Sequence, residues 1–109
     1  MASFEDFMKL DIRVGTVVSA KVFEKAKKPA YQLQVDFGEE IGVKKSSAQI
    51  TDHYSTDDLI GKQVLAAVNF PPRQIADFMS EVLVLGTYSE GGVVLITPDK
   101  PVKNGDKLG

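Results

Sequence analysis

The chain has 109 residues, no cysteine, a single histidine and a formal net charge of −2. A chain of this length buries roughly 65% of its extended surface around one core, so residues 1–109 are expected to form a single domain. Without cysteine there are no disulfide staples, thiolate metal sites or cysteine nucleophiles, and the negative total argues against coating nucleic acid through bulk charge.

The opening Met1-Ala2-Ser3-Phe4-Glu5-Asp6 is acidic where a secretory leader needs a basic flank. No apolar run approaches the ~20 residues that span a bilayer. A cytoplasmic protein without membrane insertion is therefore expected. Ser3 is placed to cap a short helix with Phe4, Phe7 and Met8 along one side. So short a helix is not stable alone and must dock, either on its own domain or on a second copy. Ile12 to Val22 reads as a long strand with a bulge or bend at Gly15. A lysine-rich loop follows, with Lys21, Lys25, Lys27 and Lys28 facing only Glu24. Tyr31, Leu33, Val35 and Phe37 then alternate with Gln32, Gln34 and Asp36, the pattern of a half-buried strand. After a turn at Gly38-Glu39-Glu40, Ile41 to Ile50 reads as a third strand, with Ile41 and Val43 inward and a polar far end.

Ser55, with Asp58 three residues on, opens another short helix that Gly61 closes. Gln63 to Asn69 is a fourth strand stopped by Pro71-Pro72. Val82 to Leu85 continues the sheet after a loop, and Gly91-Gly92 turns it into a last strand, Val93 to Ile96. Three strands, a short helix and further strands predict an all-β fold, a five-stranded Greek-key OB barrel with a short N-terminal helix and a short helix between strands 3 and 4. An SH3-like barrel is the nearest alternative.

Catalytic constellations are missing from the sequence. His53 has no cysteine or second histidine to work with and reads as a loop residue. The pairs Glu39-Glu40 and Asp57-Asp58 read as turn and helix-start residues, and no phosphate-binding glycine loop is present. A binding protein without catalysis or cofactor is expected. Lys44-Lys45-Ser46-Ser47-Ala48-Gln49 and Asn69-Phe70-Pro71-Pro72-Arg73-Gln74-Ile75 combine cations, hydroxyls and amides suited to phosphates and base edges. On an OB barrel both runs map to the oligonucleotide surface. The competing reading makes Pro71-Pro72 a strand terminator, Phe70 a core residue and the serines a polar edge. Phe70, Ile75, Phe78 and Met79, mixed with polar residues, are too apolar for an ordinary solvated loop and suggest an adaptable site for extended peptide.

At these residues the chain resembles a known family. Leu10-Asp11-Ile12-Arg13-Val14-Gly15-Thr16-Val17 looks like the opening motif of the tRNA-binding OB domain appended to methionyl-tRNA synthetases and to phenylalanyl-tRNA synthetase β chains. Lys28-Pro29-Ala30-Tyr31, Asp36-Phe37-Gly38, Lys45 to Ile50, Asn69 to Ile75 and Ser80 to Gly86 are similar to its stand-alone CsaA-type branch of secretion chaperones. The resemblance runs from about Phe4 to the end. It implies a homodimer, built with the N-terminal helix and C-terminal segments, that binds unfolded or precursor polypeptides for export and keeps a tRNA-binding surface. The family's nucleic-acid pattern falls on Lys45, Asn69, Arg73, Ser80 and Glu81, and on Ser46 and Gln49. Where many tRNA-binding relatives have Ser-Glu-Gly-Met this chain has Ser80-Glu81-Val82-Leu83, which favours the chaperone branch. The alternative is a structure-specific tRNA-binding protein that acts in trans with aminoacyl-tRNA synthetases.

Overall fold

Ser3 opens helix α1 (Phe4–Met8) and Ser55 opens helix α2 (Thr56–Leu59) in the computed structural model, which describes all of residues 1–109. Each start is a capping box in which the serine hydroxyl accepts from the backbone N–H of Asp6 or Asp58, and that residue's carboxylate accepts from the serine N–H. The Asp58 carboxyl is held below its ordinary value chiefly by its bond from the Ser55 backbone. Around the helices run β1 (Ile12–Val22), β2 (Tyr31–Asp36), β3 (Val43–Ala48), β4 (Gln63–Ala67), β5 (Arg73–Ile75), β6 (Phe78–Ser80), β7 (Leu83–Val84), β8 (Gly86–Ser89) and β9 (Gly92–Leu95).

Five of these strands form one antiparallel sheet in the order β3-β2-β1-β4-β7, which curls into a nearly closed barrel with an OB-like fold. The alternation in β2 decides its faces, with Leu33 and Val35 fully buried against Val17, Val64 and Leu59 while Gln32 and Gln34 point outward. Phe37 completes this core and explains Gly15. A Cβ on Gly15 would stand 2.6 Å from Val35 Cγ1 and 2.8 Å from Phe37 Cδ1. The glycine serves close packing, and the expected bulge lies elsewhere: the β1–β2 register shifts between Val17 and Ser19, while Gly15 pairs regularly with Val64. A second, smaller cluster of Ile12, Val14, Leu65 and Ala67 packs on the opposite side of β1 and β4.

The barrel is sealed by a short segment. The backbone N–H groups of Glu81 and Val82 both donate to the Lys45 carbonyl, which joins the edge of β3 to the entry of β7. Two side chains extend the seam: Ser80 Oγ accepts from the Ser47 N–H at 3.0 Å, and Glu81 Oε1 accepts from the Lys45 N–H at 3.0 Å. They stand in for ladder bonds that two-residue β7 is too short to make.

Three further expectations need correction. Val43 is 53% exposed instead of inward, because it pairs with the outward residue Asp36, and the inward positions of β3 fall to Ser46 and Ala48. The loop expected after Pro71-Pro72 is a hairpin, β5–β6, turned through Ala76 with a left-handed φ of 53°. The last strand does not continue the barrel sheet, since β9 pairs with β8 in a separate two-stranded ribbon. No helix is long and apolar enough to cross a membrane.

Candidate nucleic-acid interface

The outward side of β1, β2 and β3 is a polar surface whose composition follows from strand register. Ser19 pairs with Gln34 and Gln34 with Lys45; Lys21 pairs with Gln32 and Gln32 with Ser47. Paired residues share a face, so these side chains stand in two rows across the sheet, and Gln49 continues the Lys45–Ser47 side one step past β3. None of these side chains donates to or accepts from another protein group, apart from the stacking of Lys45 described below.

Two loops meet beside this surface, the lysine loop after β1 and the β5–β6 hairpin, where Lys25 Nζ and Asp77 Oδ2 stand 2.6 Å apart and clasp them together. Below the clasp Phe78 packs edge-on against buried Phe23 with ring centroids 5.4 Å apart, and Lys45 Nζ sits 5.4 Å from the Phe78 ring centroid. Lys21, Phe23, Lys25, Gln32 and Asp77 line a shallow cleft of ≈ 360 Å³ here. The bond to Lys25 holds the Asp77 carboxyl below its ordinary value, and the same bond holds the Lys25 ammonium above its own.

The residues expected to bind nucleic acid divide into two groups. Lys45, Arg73 and Gln49 keep side chains free of polar protein partners, and Arg73 is exposed on the hairpin opposite Ser80. The others are engaged. Ser46 is fully buried and donates to the Ser47 carbonyl, which removes it from direct contact with any ligand. Ser80, 9% exposed, and Glu81 fasten the barrel seam. Asn69 donates to the Lys9 carbonyl and accepts from the Asp11 N–H, tying the exit of α1 to the end of β4. The same face carries Ser19, Gln32 and Gln34, which sequence reasoning did not single out, beside Lys21 of the lysine-rich segment and Ser47 of the Lys44–Gln49 run. Alternation in β2 already turned both glutamines outward, but their cross-strand neighbours depend on register.

The apolar residues expected to hold peptide do not form one patch. Ile75 pairs with Phe78 on the barrel side of the hairpin and both are half-buried, whereas Met79, 39% exposed, pairs with Gln74 on the other side. Phe70 is 41% exposed before β5. In α1, Phe4 is 74% and Met8 48% exposed, and no residue of the helix is buried.

Residues 12–107 match a family model described as "Putative tRNA binding domain". Over 106 residues the chain is 41% identical to the methionine–tRNA ligase of Parabacteroides distasonis, an alignment that takes in 96% of this chain and 15% of the ligase. The chain thus spans 15% of the length of that curated relative. Among solved structures it is similar to the CsaA chaperone protein from Picrophilus torridus, with a TM-score of 0.96, 53% identity and 100% of both chains covered. It is likewise similar to the chaperone CsaA from Bacillus anthracis, with a TM-score of 0.93 and 54% identity over 100% of this chain and 99% of that one.

Proposed function

This chain belongs to the tRNA-binding domain family, and on that premise we propose that it binds RNA of the tRNA class on the outward face of β1, β2 and β3. The observation that carries the reading is the set of cations, amides and hydroxyls on that face with no protein hydrogen bond of their own. Lys45 and Arg73 take phosphate, Gln49 takes a base or sugar edge, and Asn69, Ser80 and Glu81 hold the frame on which those groups stand. Salt dependence tests this directly. Binding of tRNA should weaken linearly in log–log form with salt, and Lys45→Ala or Arg73→Ala should each reduce the slope by about one. Unchanged slope and affinity in both variants would refute the assignment.

A second reading is favoured by whole-chain likeness to two proteins named as CsaA chaperones. In it the protein also captures unfolded or precursor polypeptides for export, using Phe70 and Met79 with the half-buried Ile75 and Phe78 of the hairpin. Such capture buries apolar surface and tolerates or gains from salt, the opposite of RNA binding. The two activities are therefore separable on one sample. Acting in trans with aminoacyl-tRNA synthetases is the role that follows if RNA binds and polypeptide does not.

A further inference from the structure

We propose that Gln32 and Gln34, with Gln49 beside them, form a row that reads the base edges of unpaired nucleotides and favours adenine; this rests on the RNA-binding reading above. Most carboxamides of the protein are occupied. Gln63 exchanges hydrogen bonds in both directions with the Val102 backbone and donates to Asn104. Asn69 bridges Lys9 and Asp11, Asn104 accepts from Thr16 and Gln63, and Gln74 donates to the Ala76 carbonyl. Gln32 and Gln34 have no such bond although both stand mid-strand between β1 and β3, where the backbone is held on both sides.

Spacing selects the ligand. Outward side chains two apart on a strand stand ~6.8 Å from each other, about twice the ~3.4 Å rise of stacked bases. Neighbouring amides meet neighbouring nucleotides only when the bases are splayed, as in loops and single-stranded ends. A glutamine carboxamide offers one donor and one acceptor side by side, which matches adenine N6 and N7.

Charge allows the same ligand. Lys21 and Lys45 flank the glutamines on the face, and of the carboxylates that line the adjoining cleft Asp77 is neutralised by Lys25 while Glu24 is unpaired. The two rows that hold the glutamines, Ser19–Gln34–Lys45 and Lys21–Gln32–Ser47, carry no large apolar side chain to hold a polypeptide, and exposed Val43 stands in the next outward row, opposite Asp36.

The test is fluorescence anisotropy of the intact protein with labelled eight-nucleotide oligo(A), oligo(U) and oligo(C), and with tRNA, at fixed salt. The wild type should bind oligo(A) about tenfold more tightly than oligo(U). The double variant Gln32→Ala, Gln34→Ala should bring oligo(A) to the oligo(U) level with an unchanged salt slope. Gln34→Glu, which keeps the side-chain shape and removes the donor, should lower the oligo(A) to oligo(C) ratio, because a carboxylate accepts from cytosine N4. If tRNA binds while the wild type shows no base preference, or the preference survives in both variants, the proposal is overturned and the RNA-binding reading stands. It is also overturned if the double variant loses an unfolded polypeptide, reduced carboxymethylated lactalbumin, as fully as it loses oligo(A), which would make this a polypeptide face. If neither tRNA nor any oligonucleotide binds, both readings fall together.

Discussion

The Ser80 hydroxyl accepts from the Ser47 N–H and donates to the Val82 carbonyl, so a group that resembles a nucleic-acid ligand in sequence is occupied twice within the protein. Ser80→Ala should cost about 1–3 kcal/mol, because it leaves a strand N–H of a sealed edge without its partner. RNA affinity should stay the same. A variant with wild-type stability and lost affinity would mean that Ser80 contacts RNA after all. The same distinction explains why some site residues were readable and others were not. Lys45 and Arg73 announce themselves as cations beside amides, and their side chains are free of acidic partners. Ser46 and Ser47 are identical and adjacent, and only the register with Leu33 and Gln32 turns the first into the core and the second outward.

The β5–β6 hairpin hid from sequence reasoning because it lacks the usual turn signals. Its tight turn uses Ala76 at a positive φ where glycine is the ordinary choice. Contacts made far along the chain hold it, above all the Lys25–Asp77 clasp and the packing of Phe78 on Phe23. The helix starts at Ser3 and Ser55, by contrast, were legible because capping is local, and β2 was legible because one strand's alternation needs no partner. The clasp carries its own pH prediction. Asp77, lowered by its bond to Lys25, contributes above the ordinary carboxyl value of 3.8 and loses that contribution as pH falls through its depressed value. Lys25, raised by the same bond, contributes below 10.5 and loses it as pH rises through its elevated value. The clasp is therefore fully present between pH 3.8 and 10.5 and is lost in acid below the depressed Asp77 value and in base above the elevated Lys25 value, with an effect limited by the exposure of both groups. Following the Asp77 carboxyl by NMR, Lys25→Ala should move its midpoint upward, toward the ordinary carboxyl value. A midpoint unmoved by the substitution would show that the clasp does not form in solution.

At the scale of the whole molecule, the barrel was predictable from the succession of strands and the short helix between β3 and β4, while its closure by Ser80-Glu81-Val82 was not. Closure depends on where the ends of the sheet meet, a property no single segment carries. Helix α1 leaves Phe4 and Met8 exposed beside half-buried Phe7, which is consistent with a second copy as their partner. A protein lacking residues 1–9 should then be monomeric by light scattering where the intact chain is dimeric; a truncated dimer would put the interface elsewhere. The central claim is that RNA lies across the outward face of β1, β2 and β3. Mapping backbone amide shifts by NMR during titration with tRNA examines it most directly. The account predicts perturbations concentrated on residues 19–21, 32–34 and 45–49 and on the β5–β6 hairpin, and perturbations confined to α1 and the β8–β9 ribbon would contradict it.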